Sequence, residues 1–228
     1  MDRRMLRNFF LYFCLLIASL VQINAQRNDF RSWINFELEG ELFNLIDFSI
    51  IPEVRLWDNS TRFEGFLTEV DASVPLTKFF RLGTEYRYQI DRDRVYNLDI
   101  INRFGIYAEL DHRIGDLRMA YRAMYLQEYT NIYTRELGLI PESIHRHKVT
   151  LRYRNKKWHL APGISAEWFF TLAPSWVNYQ EKLRLTAGVQ YRLTNKINLG
   201  IDYKYQQEFY ENNPLSSHIF CVGAEYRL

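Results

Sequence analysis

Three groups of residues in this chain have types and spacings that chemistry uses. Ser143-x-His145 sets a hydroxyl two positions from an imidazole, the pairing with which a base activates serine for attack on a lipid ester. His145-x-His147 places two imidazoles on one face of any strand, within reach of a shared metal ion. The third group is larger: Arg55, Glu69, Arg87, Arg103, Glu109, Arg118, Arg122, Arg152, Arg154 and Arg184 fall at alternate positions of alternating segments. Charges of both signs on one face can pair with each other or line a path for solutes.

The first two groups are incomplete as sites. No glycine cluster accompanies Ser143 to supply an oxyanion hole, and no Cys, Asp or third His lies beside His145 and His147 to complete a metal site. The chain also lacks G-x-S-x-G, a Walker loop, H-E-x-x-H and a dinucleotide fingerprint. A chain without catalytic activity and without a cofactor is therefore expected, and the charged face becomes the candidate site.

What positions that face is a strand period. From Leu183 to Leu193 and from Ile197 to Tyr205, apolar or aromatic residues take every second position and Arg184, Thr186, Gln190, Arg192, Asp202 and Lys204 take the others. The two runs, joined at Thr194 to Lys196, predict an antiparallel hairpin with one apolar and one polar face. Each arm matches the roughly 9–11 residues of a tilted strand that crosses a bilayer. The same alternation recurs from Ile46 to the chain end and predicts ten strands. Short turns at Pro75 to Lys78, Arg113 to Asp116, Asn155 to Lys157 and Thr194 to Lys196 alternate with longer connections near residues 92, 135, 174 and 213. Short turns on one rim and long loops on the other are the asymmetry of an outer-membrane barrel. Phe30 to Leu42 alternates as well, so residues 26–45 form an N-terminal segment that either lines the lumen or adds a wall strand, with twelve strands as the alternative count.

The remaining sequence bounds the destination. Arg3, Arg4 and Arg7 precede an apolar run from Phe9 to Ala18, and Ala25 ends a plausible cleavage point, so residues 1–25 read as a signal peptide and residues 46–228 as the barrel. With 29 Lys and Arg against 27 Asp and Glu, three Arg and one Asp of them in the signal peptide, the mature chain is formally neutral, which argues against nucleic acid as a partner. Only Cys221 remains after cleavage, so no internal disulfide can form. Mean hydropathy is −0.32, yet a barrel wall keeps this average low because every second residue is polar.

Trp33, the Glu53-x-Arg55 pair, Tyr86-Arg87 and the repeat at Arg152 and Arg154 resemble a family of bacterial outer-membrane barrels known only as a domain of unknown function. The resemblance covers nearly all of the mature chain and implies location and architecture, with no reaction to carry over. Gly223, Tyr226 and Leu228 look like the C-terminal signal read by barrel-assembly machinery, which more often ends in Phe.

The expectation is an all-β protein, an antiparallel transmembrane β-barrel of the outer membrane, with lipid and the assembly machinery as partners. Besides an outer-membrane lipid hydrolase built on Ser143 and His145, two alternatives remain. A soluble lipocalin-type barrel shows the same alternation with its apolar face turned inward around a ligand. A solute-selective pore uses the charged face as its lining, whereas a ten-stranded barrel with long charged side chains is expected to fill its own lumen.

Overall fold

The computed structural model describes residues 27–92, 98–132, 140–155, 158–172, 178–209 and 214–228, so the expected signal peptide lies outside the described residues. Eleven strands follow in order: β1 (Arg27–Leu42), β2 (Ile46–Trp57), β3 (Arg62–Pro75), β4 (Phe80–Arg92), β5 (Leu98–Ile114), β6 (Leu117–Thr130), β7 (Glu142–Tyr153), β8 (Leu160–Leu172), β9 (Asn178–Arg192), β10 (Ile197–Glu208) and β11 (Leu215–Arg227). Each pairs with its neighbours in sequence, and β1 meets β11 to close a barrel.

The architecture is the expected transmembrane β-barrel, with a strand count of eleven in place of ten or twelve. Residues 27–42 form a wall strand: β1 runs antiparallel to β2, with Ile34 opposite Val54, and parallel to β11, with Ile34 opposite Val222. An even count follows only when the closing seam is antiparallel. Two strands running the same way close an odd number, and here the parallel seam carries that exception.

The outward positions are apolar. Ile34, Phe36, Leu82, Phe104, Ile106, Leu110, Ile164 and Ile201 are exposed on the outer wall. In water such a surface would be a large uncompensated cost. Facing lipid, it is the band that an outer-membrane barrel presents, and each strand is long enough to cross the hydrocarbon. A lipocalin-type barrel needs this face inside, so that alternative is overturned by the direction of the side chains. Closure also satisfies the backbone, because a barrel leaves no unpaired edge in the bilayer.

The longer connection expected near residue 135 spans residues 131–141, between β6 and β7. β8 starts at Leu160, so Trp158 precedes it, and Pro162 sits near the strand start, where a missing donor is tolerated. The turn at Asp58 to Thr61 is as tight as those of the opposite rim, with Asp58, Asn59 and Ser60 all at positive φ. The short turn expected at Asn155 to Lys157 widens to residues 154–159, so the asymmetry between the rims rests chiefly on the β6–β7 connection, residues 131–141.

Candidate functional site

The charged residues reach the lumen because their parity is opposite to that of the lipid-facing residues. Arg55 Nε donates to Glu53 Oε1 at 2.7 Å, and its guanidinium lies 4.1 Å above the Trp33 ring. Arg87 pairs with Glu69 across β3 and β4, and Arg103 pairs with Glu128 across β5 and β6. Arg122 Nε donates to Glu109 Oε2 at 2.7 Å and lies 3.8 Å from Asp71. Arg118 pairs with Asp111 near the short-turn rim. Arg184 donates to Gln206 Oε1 at 3.0 and 2.7 Å and lies 3.7 Å from Glu167. Arg152 donates to Gln190 Oε1 at 3.1 Å. Arg154 lies just past the end of β7, at the rim. All ten therefore face the interior or its mouth, in local pairs more than in one continuous network.

Sequence reasoning missed three residues that tie these pairs together. Arg146 sits between the two flagged histidines; continuing the parity of Lys148, Thr150 and Arg152 backwards places it inside. It binds Glu167 at 2.8 Å and reaches across to Glu85 of β4 at 3.9 Å. Glu128 lies near the end of β6, next to the connection expected around residue 135, and pairs with Arg103. Trp33 belongs to β1, and Arg184 from β9 and Lys204 from β10 approach its ring to 5.3 and 4.9 Å. Such contacts combine packing with attraction of a cation to the ring face.

These groups meet about halfway along the strands. Glu167 accepts from Arg146 at 2.8 Å and Lys148 at 3.1 Å, with Arg184 at 3.7 Å, so three cations converge on one carboxylate. Phe169 lies beside it, with Arg146 and Arg184 near its ring. Trp33, Glu85, Leu126, Ile219 and Cys221 are buried here, although all point into the barrel. Two glycines permit the packing. A Cβ at Gly83 would lie 2.3 Å from Tyr107 Cζ, and its absence lets Tyr107 cross β4 and donate to Asp71 Oδ1 of β3 at 2.7 Å. A Cβ at Gly105 would meet Leu126 Cδ2 at 2.5 Å.

The catalytic and metal candidates lie on the other side of the wall. Ser143, His145 and His147 are lipid-facing residues of β7. Ser143 Oγ is 3.0 Å from Tyr125 Oη, and His145 packs on the Tyr125 ring. His147 Nδ1 is 2.9 Å from Tyr121 Oη. Tyrosine hydroxyls of β6 thus partner Ser143 and His147, while His145 has only a ring contact. Among the described residues, the acidic or imidazole groups close enough to share an ion are Glu37, Glu39 and Glu225, which exclude these histidines.

Between the waist and the short-turn rim the lumen is not filled. A cavity of about 210 Å3 borders Glu109, Arg118, Arg122, Lys148, Thr150 and Arg152, and a second of about 120 Å3 continues past Lys148, Thr150 and Arg152 toward β8, β9 and β10. On β1 and β11, as far around the barrel from β6 and β7 as closure allows, stand Glu37, Glu39 and Glu225, with Arg227 bound to Glu39 at 2.7 Å.

Comparison with known proteins agrees with this architecture. The solved structure of a NanC porin matches with a TM-score of 0.55 at 16% identity, covering 88% of this chain and 99% of the porin, a likeness of fold. The β-domain of the Bordetella autotransporter BrkA matches with a TM-score of 0.43 at 13% identity, covering 79% of this chain and 82% of that domain. No curated protein matches the chain. The model of one family, described as a protein of unknown function (DUF2490), matches residues 30–216, and this outer-membrane barrel belongs to that family.

Proposed function

We propose that this barrel is a wall component of the outer membrane whose lumen is shut at the waist to everything larger than water and small ions, and that it works without through-flow. One observation carries this reading: side chains from strands three apart around the wall approach each other across the interior, Arg184 of β9 to 5.3 Å from the Trp33 ring of β1 and Arg146 of β7 to 3.9 Å from Glu85 of β4. Open aqueous channels belong to barrels of about 16–18 strands, whereas about eight strands enclose little beyond their own side chains. Eleven strands bearing Arg, Glu and Trp at mid-depth stand near the smaller case. Lipid at the outer wall and barrel-assembly machinery at the last strand are the partners that this role requires.

The second reading, a narrow solute-selective pore, is favoured by the cavity of about 210 Å3 below the waist. A liposome-swelling assay with a small neutral sugar separates the two. Proteoliposomes should swell no faster than empty vesicles if the waist is shut, and rapid swelling would establish the pore.

A further inference from the structure

The cavity below the waist has a composition that the closed-lumen role does not explain. Arg118, Arg122, Lys148 and Arg152 line it against the single carboxylate of Glu109. Three of these cations have acidic partners: Arg118 has Asp111, Arg122 has Glu109 at 2.7 Å, and Lys148 has Glu167 at 3.1 Å. Arg152 differs. Among the described residues no carboxylate pairs with it, and its contact is the neutral Gln190 Oε1 at 3.1 Å. Asp202, which lines the second cavity, and Glu225 act on it only from beyond ion-pair distance, so this guanidinium beside the cavity is the least compensated of the four. Its planar fork is shaped for two oxygens of one anion.

The space next to it is also kept open. Thr150 lines both cavities, and Gly163, Ser165, Thr186 and Gly188 on the adjoining strands are too small to fill the second one. Across the lumen, Glu37, Glu39 and Glu225 make the opposite wall acidic. Cations thus gather on the β6 and β7 side and carboxylates on the β1 and β11 side, with Asp202 of β10 between them, an arrangement that favours an anion beside Arg152 and Arg118. Short turns face the periplasm in outer-membrane barrels.

We propose that this vestibule is a binding site for a small soluble oxyanion, a phosphate-like group seated between Arg152 and Arg118 with the Thr150 hydroxyl as a further donor. Arg122 and Lys148, held by their own carboxylates, supply longer-range attraction. The site requires no passage through the waist, so it stands whether or not the barrel conducts.

Isothermal titration of the folded full-length protein in neutral detergent with inorganic phosphate, at constant ionic strength, tests this. Saturable binding is expected, weakened about tenfold or more by Arg152→Gln, in line with loss of a charge-assisted hydrogen bond. Arg118→Gln should weaken it as well, and because the Arg118 side chain is 44% exposed this variant keeps the test valid if Arg152→Gln fails to fold. Lys196→Gln, on the rim turn outside the cavity, should bind as the unmodified protein does. Heat-modifiable gel mobility confirms folding of each variant. Absence of saturable phosphate binding, or binding in both arginine variants as tight as in the unmodified protein, overturns the proposal.

Discussion

Replacing Glu167 by Gln removes the carboxylate on which the waist converges, and the structure sets the size of the effect. The Glu167 side chain is only 5% exposed, and it holds Arg146 at 2.8 Å, Lys148 at 3.1 Å and Arg184 at 3.7 Å. Breaking a buried ion pair from one side costs roughly 3–5 kcal/mol, because the remaining charge is left unpaired in a poor solvent. Two of the three cations retain other partners: Arg146 keeps Glu85 at 3.9 Å, and Arg184 keeps Gln206 at 2.7 and 3.0 Å. Among the described residues Lys148 has no second carboxylate, but its side chain is 34% exposed and can recruit water. The expected loss therefore sits at the low end, about 3 kcal/mol. Urea unfolding in lipid vesicles, followed by gel mobility and tryptophan fluorescence, measures it. Adding Lys148→Met to Glu167→Gln should recover most of the loss, since the stranded charge is then gone. A loss of ~0.2–1 kcal/mol, the range of exposed pairs, would refute the reasoning and mean that water fills the waist.

Other predictions probe the wall. Ile106→Arg, at a lipid-facing position 65% exposed and midway along β5, should destabilise by ~2–4 kcal/mol, whereas Ser165→Arg, directed into the cavity beside Glu167 and Asp202, should be mild; equal effects would sink the assignment of faces. Deleting Phe220 to Leu228 removes most of the strand that pairs with both β1 and β10, so the protein should fail to accumulate in the outer membrane, and normal levels of folded protein would show that this strand is dispensable. With Cys221 replaced by Ser, cysteines at Ile34 and Val222 should form an intramolecular disulfide across the parallel seam; no such bond in the folded protein would rule out this register.

Much of the barrel was legible because a strand with lipid on one side and a polar lumen on the other must alternate, so parity places charges such as Arg87, Arg103 and Arg122 on the lumen side, while Arg154 lies past the end of its strand. The seam was not legible. Phe30 to Leu42 displays its two faces in sequence but carries no mark of which strand it joins or in which direction, since parallel and antiparallel pairing use the same alternation. The waist was half legible. Arg146 was available by parity yet lay inside His145-x-His147, whose spacing suggested metal chemistry, while both histidines prove to be lipid-facing partners of β6 tyrosines or their rings. Contacts such as Trp33 with Arg184 arise only when the barrel closes and brings residues far apart in the chain across the lumen. No local pattern encodes them.

The central claim is that the waist is shut, and single-channel recording in planar bilayers tests it most directly. The unmodified protein should show no large, steady conductance, and a Trp33→Ala, Arg184→Ala double variant, which removes one bridge across the lumen, should conduct. A large, steady conductance from the unmodified protein would contradict the account.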